Sequence, residues 1–184
     1  MRVLTSFADH PPVPWANGGG ETTELVSLDD SRQLTPRRPA WRLSVARLES
    51  PGPFSSLPGM ARTFLPVGAE VVLSIDGDER RVTEDHPVSF DGGQEVRLVD
   101  LPTPCFALNL MVAYDSGDRD PAVATDTDGL GPAVAMTLGN PPHGGEREHF
   151  AVTLEKTPEL PRFQLIHLGA DESLPAELRV AFLH

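Results

Sequence analysis

Apolar residues recur along much of this chain at every second position. Trp41, Leu43 and Val45 alternate with Arg42, Ser44 and Ala46, which predicts a strand with one apolar face and one face carrying an arginine and a serine. Residues 71–75, the turn Asp76-Gly77-Asp78 and a polar return through residues 80–83 predict a β-hairpin, because Asp-Gly readily takes the positive φ of a tight turn. Residues 86–90 lead to another turn at Asp91-Gly92-Gly93, and residues 96–99 and 106–113 supply two more strands. Residues 51–59 hold too much proline and glycine for regular structure, so they read as an ordered loop delivering the chain to residues 62–65. Phe54 and Leu57 in that loop are expected to plug one end of a barrel. Residues 27–39 show no clear period and residues 175–178 suit a single helical turn; neither is assigned.

The pattern breaks at Tyr114. From there to about residue 131 the chain is acidic and rich in turn residues, with Asp115, Asp118, Asp120, Asp126 and Asp128, and it reads as a solvated connector. Strand-length apolar segments return at 133–138, 150–154, 163–168 and 178–183. A long set of strands, a connector and a shorter set predict an all-β protein of two antiparallel β-barrel lobes. The lobes are placed at 1–113 and 132–184, the second shortened, with 114–131 between them; they are expected to share strands and act as one unit.

Composition agrees with this reading and narrows it. Nineteen prolines and sixteen glycines disfavour long helices, and 184 residues suffice to bury a core without covalent staples. A formal charge of −12 with fifteen Lys and Arg argues against nucleic acid or an anionic membrane as partner. Cys105 is the single cysteine, set among Phe106, Leu108 and Leu110, and reads as a buried structural thiol in a reducing compartment. The first ten residues lack the apolar core of a signal peptide and no later run approaches membrane-spanning length, so a cytoplasmic protein is expected.

Most catalytic constellations are missing from the pattern. No His-x-His pair of the kind a metal-binding β-barrel uses occurs, and residues 143–149, with His143, Glu146, Glu148 and His149, follow Asn140-Pro141-Pro142 in a loop-like context. Asp126-Thr127-Asp128-Gly129 starts like a calcium loop, but Thr137 stands where the bidentate glutamate belongs. Gly18-Gly19-Gly20 lacks the Lys-Ser/Thr ending of a phosphate loop, and Ser44, Ser55, Ser56 and Ser74 lie in no nucleophile elbow. No metal, cofactor or catalytic residue is assigned. What remains suits a small polar or anionic ligand: Asn17, the amides of Gly18 and Gly19, Thr22, Arg42, Ser44, Arg62 and Asn109. Each arginine has the alternative of a structural ion pair, with Glu24 the partner at hand.

Four segments together resemble the HutD/Ves family: residues 14–24 (Pro-Trp-Ala-Asn-Gly-Gly-Gly-Glu-Thr-Thr-Glu), residues 41–46 (Trp-Arg-Leu-Ser-Val-Ala), residues 52–59 with Arg62-Thr63, and Phe90-Asp91-Gly92 with Leu108-Asn109-Leu110-Met111. Their order and spacing match across roughly the first 113 residues. The resemblance implies a metal-free, bicupin-like pair of jelly-roll lobes associated with histidine utilisation. It implies a non-enzymatic protein that binds an acidic intermediate such as formylglutamate and regulates the pathway, with a homodimer allowed. The alternative is a cupin enzyme, metal-dependent or not, acting on a small polar metabolite. The same resemblance places Asn17, Gly18, Gly19, Thr22, Glu24, Arg42, Ser44, Arg62 and Asn109 around a first-lobe cavity. The chain departs from the family pattern at Ala16, where Lys is usual, and at Ala61 and Ala107, where Asp is usual. One cation and two anions are thus absent together, as if lost as a compensating group; if they lined the cavity, its ligand is expected to differ from the family's.

Overall fold

The period-two segments form antiparallel strands in a computed structural model that describes residues 1–114, 136–139, 149–169, 172, 174–175 and 178–183. In chain order these are β1 (Arg2–Ser6), β2 (Val13–Pro14), β3 (Gly20–Val26), β4 (Trp41–Leu48), β5 (Gly52–Pro53), β6 (Met60–Val67), β7 (Val71–Ile75), β8 (Asp78–Val82), β9 (Val88–Asp91), β10 (Val96–Asp100), β11 (Cys105–Ala113), β12 (Met136–Leu138), β13 (His149–Thr153), β14 (Gln164–Leu168) and β15 (Val180–Leu183). One α-helix, α1 (Leu28–Leu34), lies between β3 and β4. The chain divides into two compact units, Pro12–Ala133 and a second made of Met1–Pro11 with Val134–His184.

The larger unit holds a six-stranded sheet, β2-β3-β4-β11-β6-β9, and a four-stranded sheet, β5-β10-β7-β8. Their inner faces share one core, in which Ala46, Leu48 and Phe64 of the first sheet meet Val71, Leu73, Val96 and Leu98 of the second. Leu73 and Leu98 are almost wholly buried, each stabilising the fold by about 1.5–3 kcal/mol. The β7–β8 hairpin forms as expected: Asp76 (φ 50°) and Gly77 (φ 91°) make the two-residue turn between Ile75 and Asp78. The Asp76 carboxylate accepts from the Glu95 amide (2.9 Å) and Gln94 Nε2 (2.6 Å), which ties the turn to the start of β10.

Residues 27–39, unassigned from periodicity, contain α1. Its start carries a reciprocal cap, with Ser27 Oγ accepting from the Asp30 amide at 3.1 Å while the Asp30 carboxylate accepts from the Ser27 amide at 3.1 Å. The helix is then fastened to β4: the Trp41 amide donates to Ser31 Oγ (2.9 Å) and the Trp41 indole to Thr35 Oγ1 (2.8 Å).

The first lobe does not begin at residue 1. Arg2–Ser6 pair antiparallel with Gln164–Leu168, so β1 is the edge of the five-stranded sheet β1-β14-β13-β15-β12. The Phe7 amide continues the attachment by donating to the Phe163 carbonyl at 3.1 Å. Residues 1–11 therefore belong with the C-terminal segment rather than within 1–113. Ala151, Ile166, Leu168 and Val180 centre the core of this unit. Of the connector expected at 114–131, residues 115–131 lie outside the described residues. No helix among the described residues is long and apolar enough to cross a membrane.

Candidate functional site

Strand register brings the sequence-predicted polar residues together. Directly opposed residues of an antiparallel pair share a face. Glu24 stands opposite Ser44, Ser44 opposite Asn109, and Asn109 opposite Phe64. In the next row Arg42 opposes Met111, Met111 opposes Arg62, and Arg62 opposes Phe90. Three strands, β4, β11 and β6, thus deliver Ser44, Asn109, Arg42 and Arg62 to one side of the sheet, where they border a cavity of about 370 Å³. Asn17 and Thr22 border it too. Apolar walls come from Trp15, Phe54, Leu57 and Met111. Phe54 and Leu57 therefore line the cavity; Phe54 also packs on the core, 5.6 Å from the Phe64 ring.

The two arginines are in different states. Arg42 Nε is ion-paired with the Glu24 carboxylate, at a half-exposed position. Arg62 is 7% exposed, and its one hydrogen bond runs from Nη1 to the Ser55 carbonyl at 3.2 Å. Among the described residues its Nε has no partner and no carboxylate pairs with it. Phe54 and Phe90 flank the guanidinium at 5.4 and 5.1 Å. Burial, reinforced by the charge of Arg42, lowers its pKa to about 10, so it remains a cation at neutral pH. A guanidinium presents five N–H donors, and this one faces a cavity with most of them uncommitted.

The glycine run has another task. Gly18 N donates to the Trp15 carbonyl (3.0 Å), and Gly19 N donates to Asn17 Oδ1 (2.9 Å). Neither amide is available to a ligand, and neither residue borders the cavity, which corrects the expectation that they bind one. They shape the β2–β3 connection instead. Gly18 takes φ +70°, and a Cβ on Gly20 would lie well inside van der Waals contact with the Arg47 carbonyl on β4. The loop so formed places Trp15 against the cavity, with its indole donating to Thr22 Oγ1 at 2.8 Å. Glu24 likewise does not border the cavity and acts on it through Arg42.

The three positions at which the chain departs from the family pattern do not share the cavity. Ala16 lines it. Ala61 is one residue from Arg62 and so points to the opposite side of β6. Ala107 is fully buried in the apolar core with Ala46 and Leu48. Sequence reasoning left Phe54, Phe64 and Met111 out of the site, although all three border the cavity; the shared parity of Arg62 with Phe64 on β6 and of Asn109 with Met111 on β11 was the available signal. Of the His/Glu group at 143–149, His143, Glu146 and Glu148 lie outside the described residues, and His149 sits on β13 in the other unit.

The HutD family profile matches residues 7–137. The chain belongs to the HutD family. Over 85 residues it is 38% identical to Protein Ves of Cronobacter sakazakii, an alignment covering 45% of this chain and 44% of that protein. Over 79 residues it is 38% identical to an uncharacterized 21.2 kDa protein in the hutC 3′ region of Pseudomonas putida, covering 42% and 40% of the two. The match thus spans less than half the length of these curated relatives. HutD from Pseudomonas fluorescens SBW25 superposes with a TM-score of 0.67 at 21% identity, covering 98% of this chain and 95% of that one. A conserved protein of unknown function from Pseudomonas aeruginosa PAO1 superposes at 0.64 and 20% identity, covering 99% and 90%. This HutD-family chain therefore has the all-β, bicupin-like fold, with its larger unit a jelly roll of two facing sheets rather than a closed barrel.

Proposed function

We propose that this HutD-family protein is a non-enzymatic binding protein that holds a small carboxylate in the cavity of its larger unit. The reading rests on Arg62, a buried guanidinium that no carboxylate pairs with among the described residues, at the wall of a cavity of about 370 Å³. Keeping such a charge out of water is costly unless a partner compensates it. A carboxylate accepts two of its parallel N–H bonds and removes the deficit. Asn17, Ser44 and Asn109 add neutral donors and acceptors, and Trp15, Leu57 and Met111 enclose the rest of the ligand. Arg62 is the anchor, with Arg42 committed to Glu24.

The Pseudomonas putida relative lies in a hutC 3′ region, which supports a ligand drawn from histidine breakdown, formylglutamate among the candidates. In this reading the protein reports the level of that acid to the pathway. Calorimetric titration with formylglutamate, urocanate, histidine and glutamate tests it. The expected result is one-to-one binding of at least one acid, lost in Arg62→Met. Absence of heat and of any spectral change with all four at millimolar concentration would remove the basis of the reading.

A further inference from the structure

We infer that the cavity selects a carboxylate bearing a single negative charge, and that Glu24 sets this limit by occupying Arg42. The inference rests on the carboxylate-binding reading above and adds to it the charge of the ligand and the residue that enforces it. Two cations border the cavity, Arg42 and Arg62, on β4 and β6 with Met111 of β11 between them. Two strand spacings put their backbones about 10 Å apart, so a small ligand with two carboxylates has the reach to address both. Glu24, opposite Ser44 on β3, already neutralises Arg42. The other polar residues at the wall, Asn17, Thr22, Ser44, Ser55 and Asn109, are neutral. One cationic charge, that of Arg62, is left to be matched.

A singly charged acid therefore leaves the site neutral. A dianion has two options, both unfavourable. Its second carboxylate can rest unpaired against the apolar wall of Trp15, Phe54 and Leu57, losing its hydration without a partner. Otherwise it draws Arg42 away from Glu24 and releases that carboxylate to water. Glu24 is 43% exposed, so the second route has a moderate cost. The expected discrimination is accordingly about tenfold, the range of one charge-assisted hydrogen bond exchanged for solvent contact. This ranks singly charged acids above dianions, formylglutamate included.

The test pairs acids of one skeleton and different charge: glutarate with its monoamide glutaramate, and succinate with succinamate. Each is titrated by NMR at pH 7 into the wild-type protein, Glu24→Gln and Arg42→Gln. The wild type should bind each monoamide about tenfold more tightly than its diacid. Glu24→Gln frees Arg42 and should reverse the order, chiefly by tightening the diacid. Arg42→Gln should keep the wild-type preference, since Arg42 is not the anchor, and it serves as the second variant should Glu24→Gln fold poorly. Equal or tighter binding of the diacids to the wild type overturns the charge limit, as does an unchanged ratio in Glu24→Gln or a preference lost in Arg42→Gln. If no member of either pair perturbs the wild type at millimolar concentration, carboxylate binding itself is overturned.

Discussion

Replacing Arg62 by methionine separates a binding group from a structural one. The substitution keeps a flexible unbranched chain in the same place and removes the charge. In the wild type, burial lowers the guanidinium from its ordinary value to about 10, with Arg42 contributing in the same direction. At about 1.4 kcal/mol for each unit, folding disfavours the charged form by about 3 kcal/mol. Opposing this are the hydrogen bond to the Ser55 carbonyl, worth roughly 1.5–3 kcal/mol, and the contacts with the Phe54 and Phe90 rings, together about 1–2 kcal/mol. The two sides nearly cancel. Arg62→Met should therefore change the free energy of unfolding by less than about 2 kcal/mol, a few degrees in Tm for a chain of this size, while abolishing carboxylate binding. The pH dependence has a definite sign. Because the folded value lies below the unfolded one, the unfolded chain holds this proton more tightly. The penalty is complete below about pH 10 and fades as pH rises above that value towards the ordinary guanidinium range. Urea titrations of wild type and variant at pH 7 see all of it. A loss of about 4 kcal/mol or more, or retained binding, would show that Arg62 serves the scaffold rather than a ligand.

Other substitutions probe the elements that build the cavity. Asn109→Asp places a carboxylate in the same cavity as Arg62 and should weaken carboxylate binding by tenfold or more while raising the unfolding midpoint at pH 7; a lower midpoint with binding intact contradicts the charge deficit. Gly20→Ala drives a Cβ into the Arg47 carbonyl and should cost about 2–4 kcal/mol, whereas Gly18→Ala meets open space at φ +70° and should cost about 1 kcal/mol. Thermal unfolding of the pair checks the order, and equal losses count against the close approach. Ser27→Ala removes the reciprocal cap of α1 and should cost about 1 kcal/mol, read as a lower midpoint in urea with binding unchanged.

Much of the larger unit was legible because its signals are local. The alternation in β4 gave both faces of the strand, and the register of β4, β11 and β6 then made one face into the cavity wall. Asp76-Gly77 announced its own turn. What escaped the sequence depends on distant partners. β1 is a short edge strand, and nothing in Arg2–Ser6 indicates that its partner is Gln164–Leu168 at the other end of the chain. The glycine run reads in sequence as amides aimed at a ligand, and the fold adds a second possibility, amides spent on the loop. The Asn17 side chain and the Trp15 carbonyl decide for the second by taking the Gly19 and Gly18 N–H groups. Helix α1 was missed because seven residues give too little period, although the cap at Ser27 and Asp30 was present in the sequence. The loss of three family charges looked like one event, yet strand parity alone separates Ala61 from Arg62.

Arg62 is expected to receive the ligand's carboxylate through guanidinium N–H groups that no other group among the described residues engages. Nitrogen-15 NMR of the arginine Nε–H resonances during titration with the tightest-binding acid of the panel addresses it directly. A large, saturable shift of the Arg62 guanidinium resonances is expected, with a small one for the Arg42 Nε–H, which stays on Glu24. An Arg62 resonance that remains still at saturation, with the shifts falling elsewhere, would contradict it.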